Sequence, residues 1–452
     1  MDCKIARLHD CTTPALQTSD PQTSDLPPLA TIFAVSLSCK RKVMRSVLKI
    51  LALAPVLAPL LMMQSCSNKE PDPFDDNTYL VSSSLEFMRT KENIVSLLTV
   101  AATQYPEIAQ IIPDVQSGVN VYSISYNTTF KGQDVIASGL VAVPTVSGTY
   151  PVLTYQNGTN TLHSEAPSVN PLEVLYQLIE YVASTGYVVV MTDYLGFGAS
   201  DQMAHPYLHR ESTVQTIIDM LYALGEFDED VAKGISVSNE YFLLGYSQGG
   251  WATLALLEEL DKNYKQEFSV KAASCGAGPY DLNYFNTAVL SLTEYPMPVF
   301  LGYISNAYAE YDLFSNPLTD IYNEPYASRI PGLYDGMHSS DQINAQLIES
   351  IAGLFKADYI SGYSTSPVYQ GVRDALTANS IVGWNTSVPL LFLHGTDDTY
   401  VMPALSERMH VAMIDAGCSS LTCLYMPLPD LDHSGGIVPA GLAGLTFFKT
   451  YR

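Results

Sequence analysis

The clearest order in this chain is an alternation of short apolar runs with longer amphipathic stretches. Residues 121–130 and 135–143 alternate loosely between apolar and polar, and Gly132-Gln133-Asp134 between them is a turn signal, so the two runs are expected to pair antiparallel. Nearly continuous apolar runs follow at 152–155, 187–191, 241–244, 270–273, 390–393 and 421–425, the pattern of strands buried on both faces. Between several of them lie stretches of helical length, at 171–185, 212–225, 250–260 and 404–416. This alternation predicts an α/β fold, a mostly parallel sheet flanked by helices.

One connection breaks the rhythm. Residues 281–388 separate two consecutive strands, far more chain than a crossover needs. They are expected to form a largely helical cap inserted before the 390–393 strand, leaving 80–280 and 389–452 as the core. Residues 280–370 contain 12 Tyr and 4 Phe, against 10% aromatic content for the whole chain. Those rings either fill the insertion's own core or form an apolar underside that shapes a substrate pocket.

The first sixty or so residues do not read as the start of this domain. From Met44, the basic residues Arg45 and Lys49 precede an apolar run at 50–63, the pattern of a secretory signal and shorter than the roughly 20 residues of a spanning helix. Met63-Gln64-Ser65-Cys66, followed by Ser-Asn-Lys-Glu-Pro-Asp, resembles a bacterial lipoprotein signal. That resemblance implies removal of 44–65, a lipid on Cys66, and a membrane reached only through that anchor, in the bacterial cell envelope. Residues 1–43 have no place in such a signal, so translation is expected to begin at Met44. Residues 66–79, polar and rich in Pro and Asp, suit a tether.

Charge narrows the partners. The whole chain has 22 Lys+Arg and 46 Asp+Glu, and the first 65 residues hold 7 and 4 of them, which leaves a body with a formal net charge of −27. Such a surface repels phosphate backbones, so nucleic acid is not expected as a partner. Cys418 and Cys423, with four residues between them in an exported chain, are expected to close a small disulfide loop, with Cys275 a buried free thiol. No cysteine and histidine spacing resembles a zinc site.

The chemistry centres on Gly245-Tyr246-Ser247-Gln248-Gly249. A five-residue match of this kind is weak alone, but Tyr241 to Leu244 supplies a buried strand before it and Gly250-Trp251-Ala252-Thr253-Leu254 opens a helix after it. On so sharp a turn the serine backbone is strained, its hydroxyl projects from the sheet, and the N–H of Gln248 faces the place where an oxyanion would form. A serine needs a base, and the base a carboxylate to orient it. After the 390–393 strand comes His394-Gly395-Thr396-Asp397-Asp398-Thr399-Tyr400-Val401, which by spacing makes Asp398 the acid with Asp397 as runner-up. After the last strand, Asp432-His433-Ser434-Gly435-Gly436 places His433 as the base, with His394 its chief rival.

The order Ser247, Asp398, His433 resembles that of the α/β-hydrolase fold. A narrower likeness, over about residues 120–450, is to the secretory lipase family. It lies in Tyr155-Gln156-Asn157-Gly158-Thr159, with Asn157 where histidine is more usual, in Gly186 to Gly198, and in His205-Pro206-Tyr207-Leu208-His209. The resemblance implies carboxylic ester hydrolysis through an acyl-enzyme, with no cofactor and with the N–H of Thr159 as second oxyanion donor. His205 and His209 stand four apart, but Pro206 argues against a shared helix face and hence against a metal pair; both are expected to be structural groups near the site entrance. Two rivals remain: a serine peptidase on the same fold, and a non-catalytic surface protein gripping a glycan or lipid.

Overall fold

The computed structural model describes residues 78–452 except Lys233. Cys66, the signal and the leader lie outside the described residues, as does the expected tether apart from Thr78 and Tyr79. Among the described residues no helix is long and apolar enough to cross a membrane.

Nine strands form one sheet: β1 (Leu80–Arg89), β2 (Val119–Phe130), β3 (Gln133–Pro144), β4 (Gly148–Gln156), β5 (Val188–Thr192), β6 (Ile235–Tyr246), β7 (Val270–Gly276), β8 (Leu390–Gly395) and β9 (Cys423–Leu428). They lie in the order β1-β2-β3-β5-β4-β6-β7-β8-β9. The first three strands pair antiparallel, β3 joins β5 antiparallel, and all pairs from β5 through β4 to β9 are parallel. The expected hairpin is β2–β3: Phe130 faces Gln133, and the two residues between them, Lys131 and Gly132, have φ of 49° and 73°. Two central residues in the left-handed region match the twist of paired strands.

The continuous apolar runs follow from cover on both faces. Val188, Val190 and Leu243 pack with α3 (Arg210–Asp230) and α4 (Gln248–Asn263), while the alternate residues Val189, Phe242 and Leu244 pack with α1 (Lys91–Ala101) and α2 (Val174–Glu180). The α2 stretch is shorter than expected, because the chain continues as a 3-10 turn over Tyr181–Thr185. Strand β1 was not foreseen. Its pairing with β2 shifts register between Leu80 and Ser82 and again between Leu85 and Phe87, so no period of two survives in its sequence. Its start is held instead by Glu226, whose carboxylate accepts from the N–H groups of Thr78, Tyr79 and Leu80.

The insertion between β7 and β8 is largely helical: α5 (Leu282–Leu290), α6 (Pro298–Glu310), α7 (Leu318–Ile321), α8 (Tyr326–Arg329), α9 (Ser340–Asn344), α10 (Ile351–Leu354), α11 (Ala357–Gly362) and α12 (Gln370–Ala378). Its two ends are pinned together where Ile381 N–H donates to Tyr280 O (2.8 Å), and to the core where Trp251 Nε1 donates to Asn379 O (3.0 Å). The aromatic content divides between both uses. Tyr322, Phe355 and Tyr359 stack within the insertion, whereas Tyr295, Tyr303 and Tyr308 reach the loops of the core. The chain ends with α13 (Ala404–Asp415) and α14 (Ile437–Phe448).

The expected Cys418–Cys423 bridge is not formed. All three described cysteines are buried free thiols. The turn between them closes by Cys423 N–H donating to Ser419 O (2.8 Å), Cys423 enters β9 facing the core, and the Cys418 thiol donates to Trp384 O (3.2 Å). Burial raises the pKa of Cys423 to about 12.

Helix α4 meets the sheet backbone to backbone. A Cβ on Gly249 would lie 1.8 Å from Gln156 O at the end of β4, and one on Gly250 2.1 Å from Gly276 O at the end of β7. Gly250→Ala is therefore expected to lower stability by about 1–3 kcal/mol through forced overpacking. Gly441→Ala in α14, where a Cβ meets nothing within 4 Å, is expected to be neutral or stabilising. Thermal melts of the two variants check the contrast; equal melting temperatures would contradict it.

Candidate active site

Between β6 and α4, Ser247 has φ 59° and ψ −124°, a conformation that a non-glycine residue adopts only when its surroundings impose it. Two contacts impose it. Ser247 N–H donates to Gly276 O (2.9 Å), and a Cβ on Gly245 would come within 2.2 Å of Gly249 O, so the turn closes only around small flanking residues. The result lifts the Ser247 hydroxyl off the end of the sheet.

His433 and Asp398 converge on that hydroxyl from two other strand ends. His433 Nδ1 lies 2.6 Å from Asp398 Oδ2, and His433 Nε2 lies 2.9 Å from Ser247 Oγ. Because the carboxylate only accepts, Nδ1 carries the hydrogen, and Nε2 presents its lone pair to the serine hydroxyl. The histidine loop is fastened from below, where Tyr246 OH donates to the main-chain oxygen of His433 (2.8 Å), and the rings of Tyr246 and Tyr400 flank the imidazole.

Asp398 is the better held of the two adjacent aspartates. Asp397 is exposed, while Asp398 is buried, with Oδ1 accepting from the N–H groups of Tyr400 (2.8 Å) and Val401 (2.9 Å). Burial pushes the Asp398 carboxyl up, but hydrogen bonds from His394 and His433 outweigh it and bring its pKa down to about 2. His394 is thus neither base nor bystander. It is wholly buried; its Nε2 hydrogen is shared between Val401 O (2.7 Å) and Asp398 Oδ2 (3.1 Å), and its Nδ1 accepts from Ser406 Oγ (2.7 Å). Its spacing of four residues from Asp398 was the signal available in the sequence.

Of the two residues expected at the oxyanion hole, Gln248 directly follows the serine and Thr159 lies in a nearby loop. Gln248 opens α4, so its N–H has no acceptor within the helix. The Asn157–Thr159 loop passes alongside: a Cβ on Gly158 would sit 4.0 Å from the Ser247 Cβ. Asn157 is buried, with its main-chain oxygen accepting from Tyr194 OH (3.0 Å). Thr159 Oγ1 is 2.9 Å from Tyr207 OH.

His205 is buried, with Nδ1 on Leu195 O (2.6 Å) and Nε2 on the side-chain amide of Gln248 (3.0 Å). His209 instead caps α3, accepting from Ser212 N–H. Among the described residues no group of three or more His, Cys, Asp or Glu side chains could hold a metal ion. A cleft of about 190 Å³, lined by His163, Phe197, His205, Tyr303 and Tyr334, opens where the insertion meets the core.

Fold and site together define an α/β-hydrolase: a mostly parallel sheet with helices on both faces, and a serine on the strand-to-helix turn with histidine and aspartate from later strand ends. A secretory lipase family model matches residues 170–318, a span that takes in the His205–Tyr207 segment, Ser247 and the first helices of the insertion. No curated protein matches. Among solved structures, a Legionella pneumophila protein described as a candidate hydrolase is 27% identical with a TM-score of 0.73, covering 82% of this chain and 98% of that one. The rice cell wall degrading esterase LipA from Xanthomonas oryzae is 22% identical, TM-score 0.71, covering 83% and 100%. Candida antarctica lipase A in its closed state is 15% identical, TM-score 0.54, covering 84% and 87%. At those identities the last two share the fold.

The Asp398 contacts carry a pH signature. A carboxyl whose pKa falls from 3.8 unfolded to about 2 folded contributes stability that is present above pH 4 and lost as the pH falls through about 2. His394→Leu removes one of the two imidazoles responsible, so its acid unfolding is expected to begin at higher pH than in the wild type. Stability measured against pH from 6 downward checks this; an unshifted acid limb would mean that His394 does not hold the carboxylate.

Proposed function

We propose that this chain is a serine-dependent carboxylic ester hydrolase, acting through an acyl-enzyme on a small-molecule or lipid ester, and tethered in the bacterial cell envelope through a lipid on Cys66. The observation that carries the first part is the continuous hydrogen-bond relay from Asp398 through His433 to Ser247, at 2.6 and 2.9 Å. Its likeness to secretory lipases and to esterases of the same fold favours an ester over an amide.

In this reading Ser247 Oγ adds to the ester carbonyl carbon while its proton passes to His433 Nε2. The carbonyl oxygen takes up the negative charge and accepts from the N–H groups of Gln248 and Thr159. Each such donor is worth about 3 kcal/mol to the transition state. Asp398 stabilises the imidazolium and keeps the ring in register. Collapse of the adduct expels the alcohol, which takes the proton from His433. Water then repeats the sequence on the acyl-serine, giving up a proton to His433 and releasing the acid and Ser247. No cofactor enters any step. The insertion acts as the cap that sets which acyl and alcohol groups fit.

A fluorophosphonate probe is expected to label the protein, with labelling abolished in Ser247→Ala, and p-nitrophenyl esters are expected to turn over faster than aminoacyl or prolyl anilides. Absence of labelling would favour a non-catalytic binding protein; faster anilide turnover would make the protein a peptidase.

For the anchor, replacement of Cys66 by Ser is expected to move the protein from the membrane fraction to the soluble fraction. Retention in the membrane would rule out a lipid on that residue.

A further inference from the structure

The segment His205-Pro206-Tyr207 touches both loops assigned to the oxyanion. We propose that His205 and Tyr207 are positioning residues for the oxyanion hole, His205 setting Gln248 and Tyr207 setting Thr159, and that Tyr303 of the insertion clamps the pair. The proposal rests on the serine-hydrolase reading above and adds how the cap and the oxyanion site are joined.

The hydrogen bonds permit one arrangement. Leu195 O can only accept, so His205 Nδ1 carries the hydrogen, and Nε2 must accept from the Gln248 side-chain amide. Burial pushes the His205 imidazole down to about 4, which keeps that lone pair available at neutral pH. The other side-chain atom of Gln248, Oε1, is buried without a hydrogen-bond partner, so the imidazole is the single polar restraint on this side chain. Gln248 is 1% exposed and sits on the first residue of α4, directly after the nucleophile. Tying that side chain to the His205 ring, itself bonded to Leu195 O, restrains displacement of residue 248 as a whole and so of the backbone N–H it carries.

Tyr207 does the equivalent on the other side, its hydroxyl 2.9 Å from Thr159 Oγ1. Both residues are backed by one ring. Tyr303, in α6, stacks on Tyr207 with centroids 4.4 Å apart and planes 9° from parallel, and meets His205 edge-on at 5.6 Å. Tyr334 stacks on the far side of Tyr303 at 4.5 Å, and its hydroxyl donates to Val299 O (2.6 Å) at the start of α6. The loop beneath is equally fixed: at Gly196, with φ 88°, a Cβ would come within 2.5 Å of the His205 backbone. None of these side chains hydrogen-bonds to Ser247, His433 or Asp398, so the oxyanion hole can be loosened while the relay stays intact.

The test uses His205→Phe, which keeps a ring but loses the acceptor, His205→Gln, which restores an acceptor, and Tyr303→Leu, which removes the clamp. In His205→Phe, kcat and the rate of fluorophosphonate labelling of Ser247 are expected to fall about 10- to 100-fold. KM is expected to stay within about threefold, because the interaction is made only in the transition state. Affinity for a boronic acid analogue is expected to fall with kcat/KM, His205→Gln to recover most of the loss, and Tyr303→Leu to move kcat in the same direction. A folded His205→Phe variant, by circular dichroism and melting temperature, with wild-type kcat would overturn the proposal. So would a loss confined to KM, or no recovery in His205→Gln. A wild-type protein that fails to label at Ser247 would instead sink the serine-hydrolase reading and this proposal with it.

Discussion

The site depends on one constraint, the close backbone contact of α4 with the ends of β4 and β7. Gly249 lies against Gln156 and Gly250 against Gly276, distances that no side chain at either position could share. That approach draws Ser247 into its positive φ and exposes its hydroxyl, and it brings the Asn157–Thr159 loop alongside. A strained turn costs about 1–3 kcal/mol and persists only where the surroundings over-determine it. Here they do: Trp251, wholly buried one residue further on, ties the same helix to the end of the insertion.

Around that turn the electrostatics are arranged without mobile charge. The protein is strongly acidic, yet the single carboxylate facing the serine relay is buried and shared by two imidazoles and two backbone N–H groups. His394 and His433 contact the same oxygen of Asp398 from different directions, so the carboxylate is oriented by a group that takes no part in the chemistry. His205 is used in a similar way, as a neutral acceptor whose protonation burial opposes. Three buried histidines thus serve three roles, each fixed by which ring nitrogen meets a carbonyl or carboxylate.

The insertion belongs to this arrangement rather than merely covering it. Tyr295 donates to Tyr400 O in the loop that carries Asp398, Tyr308 to Leu208 O, and Tyr303 packs on Tyr207 and His205. Displacement of the 295–308 segment would be felt at the Asp398 loop and at the 205–208 segment together.

Much of this was legible in the chain because its causes are local. Continuous apolar runs marked β4 to β8, since burial on both faces forbids alternation, and the small residues around Ser247 marked the turn. Spacing after strands β8 and β9 singled out Asp398 and His433. Strand β1 was not legible, because its bulges erase the period of two. The Cys418–Cys423 bridge was expected from spacing in an exported chain, whereas the structure holds both as buried free thiols. The hydrogen bond of His394 to the Asp398 carboxylate and the buried link from His205 to Gln248 came only with the tertiary structure. Each joins residues far apart in sequence or depends on which way a side chain turns, and a linear pattern records neither.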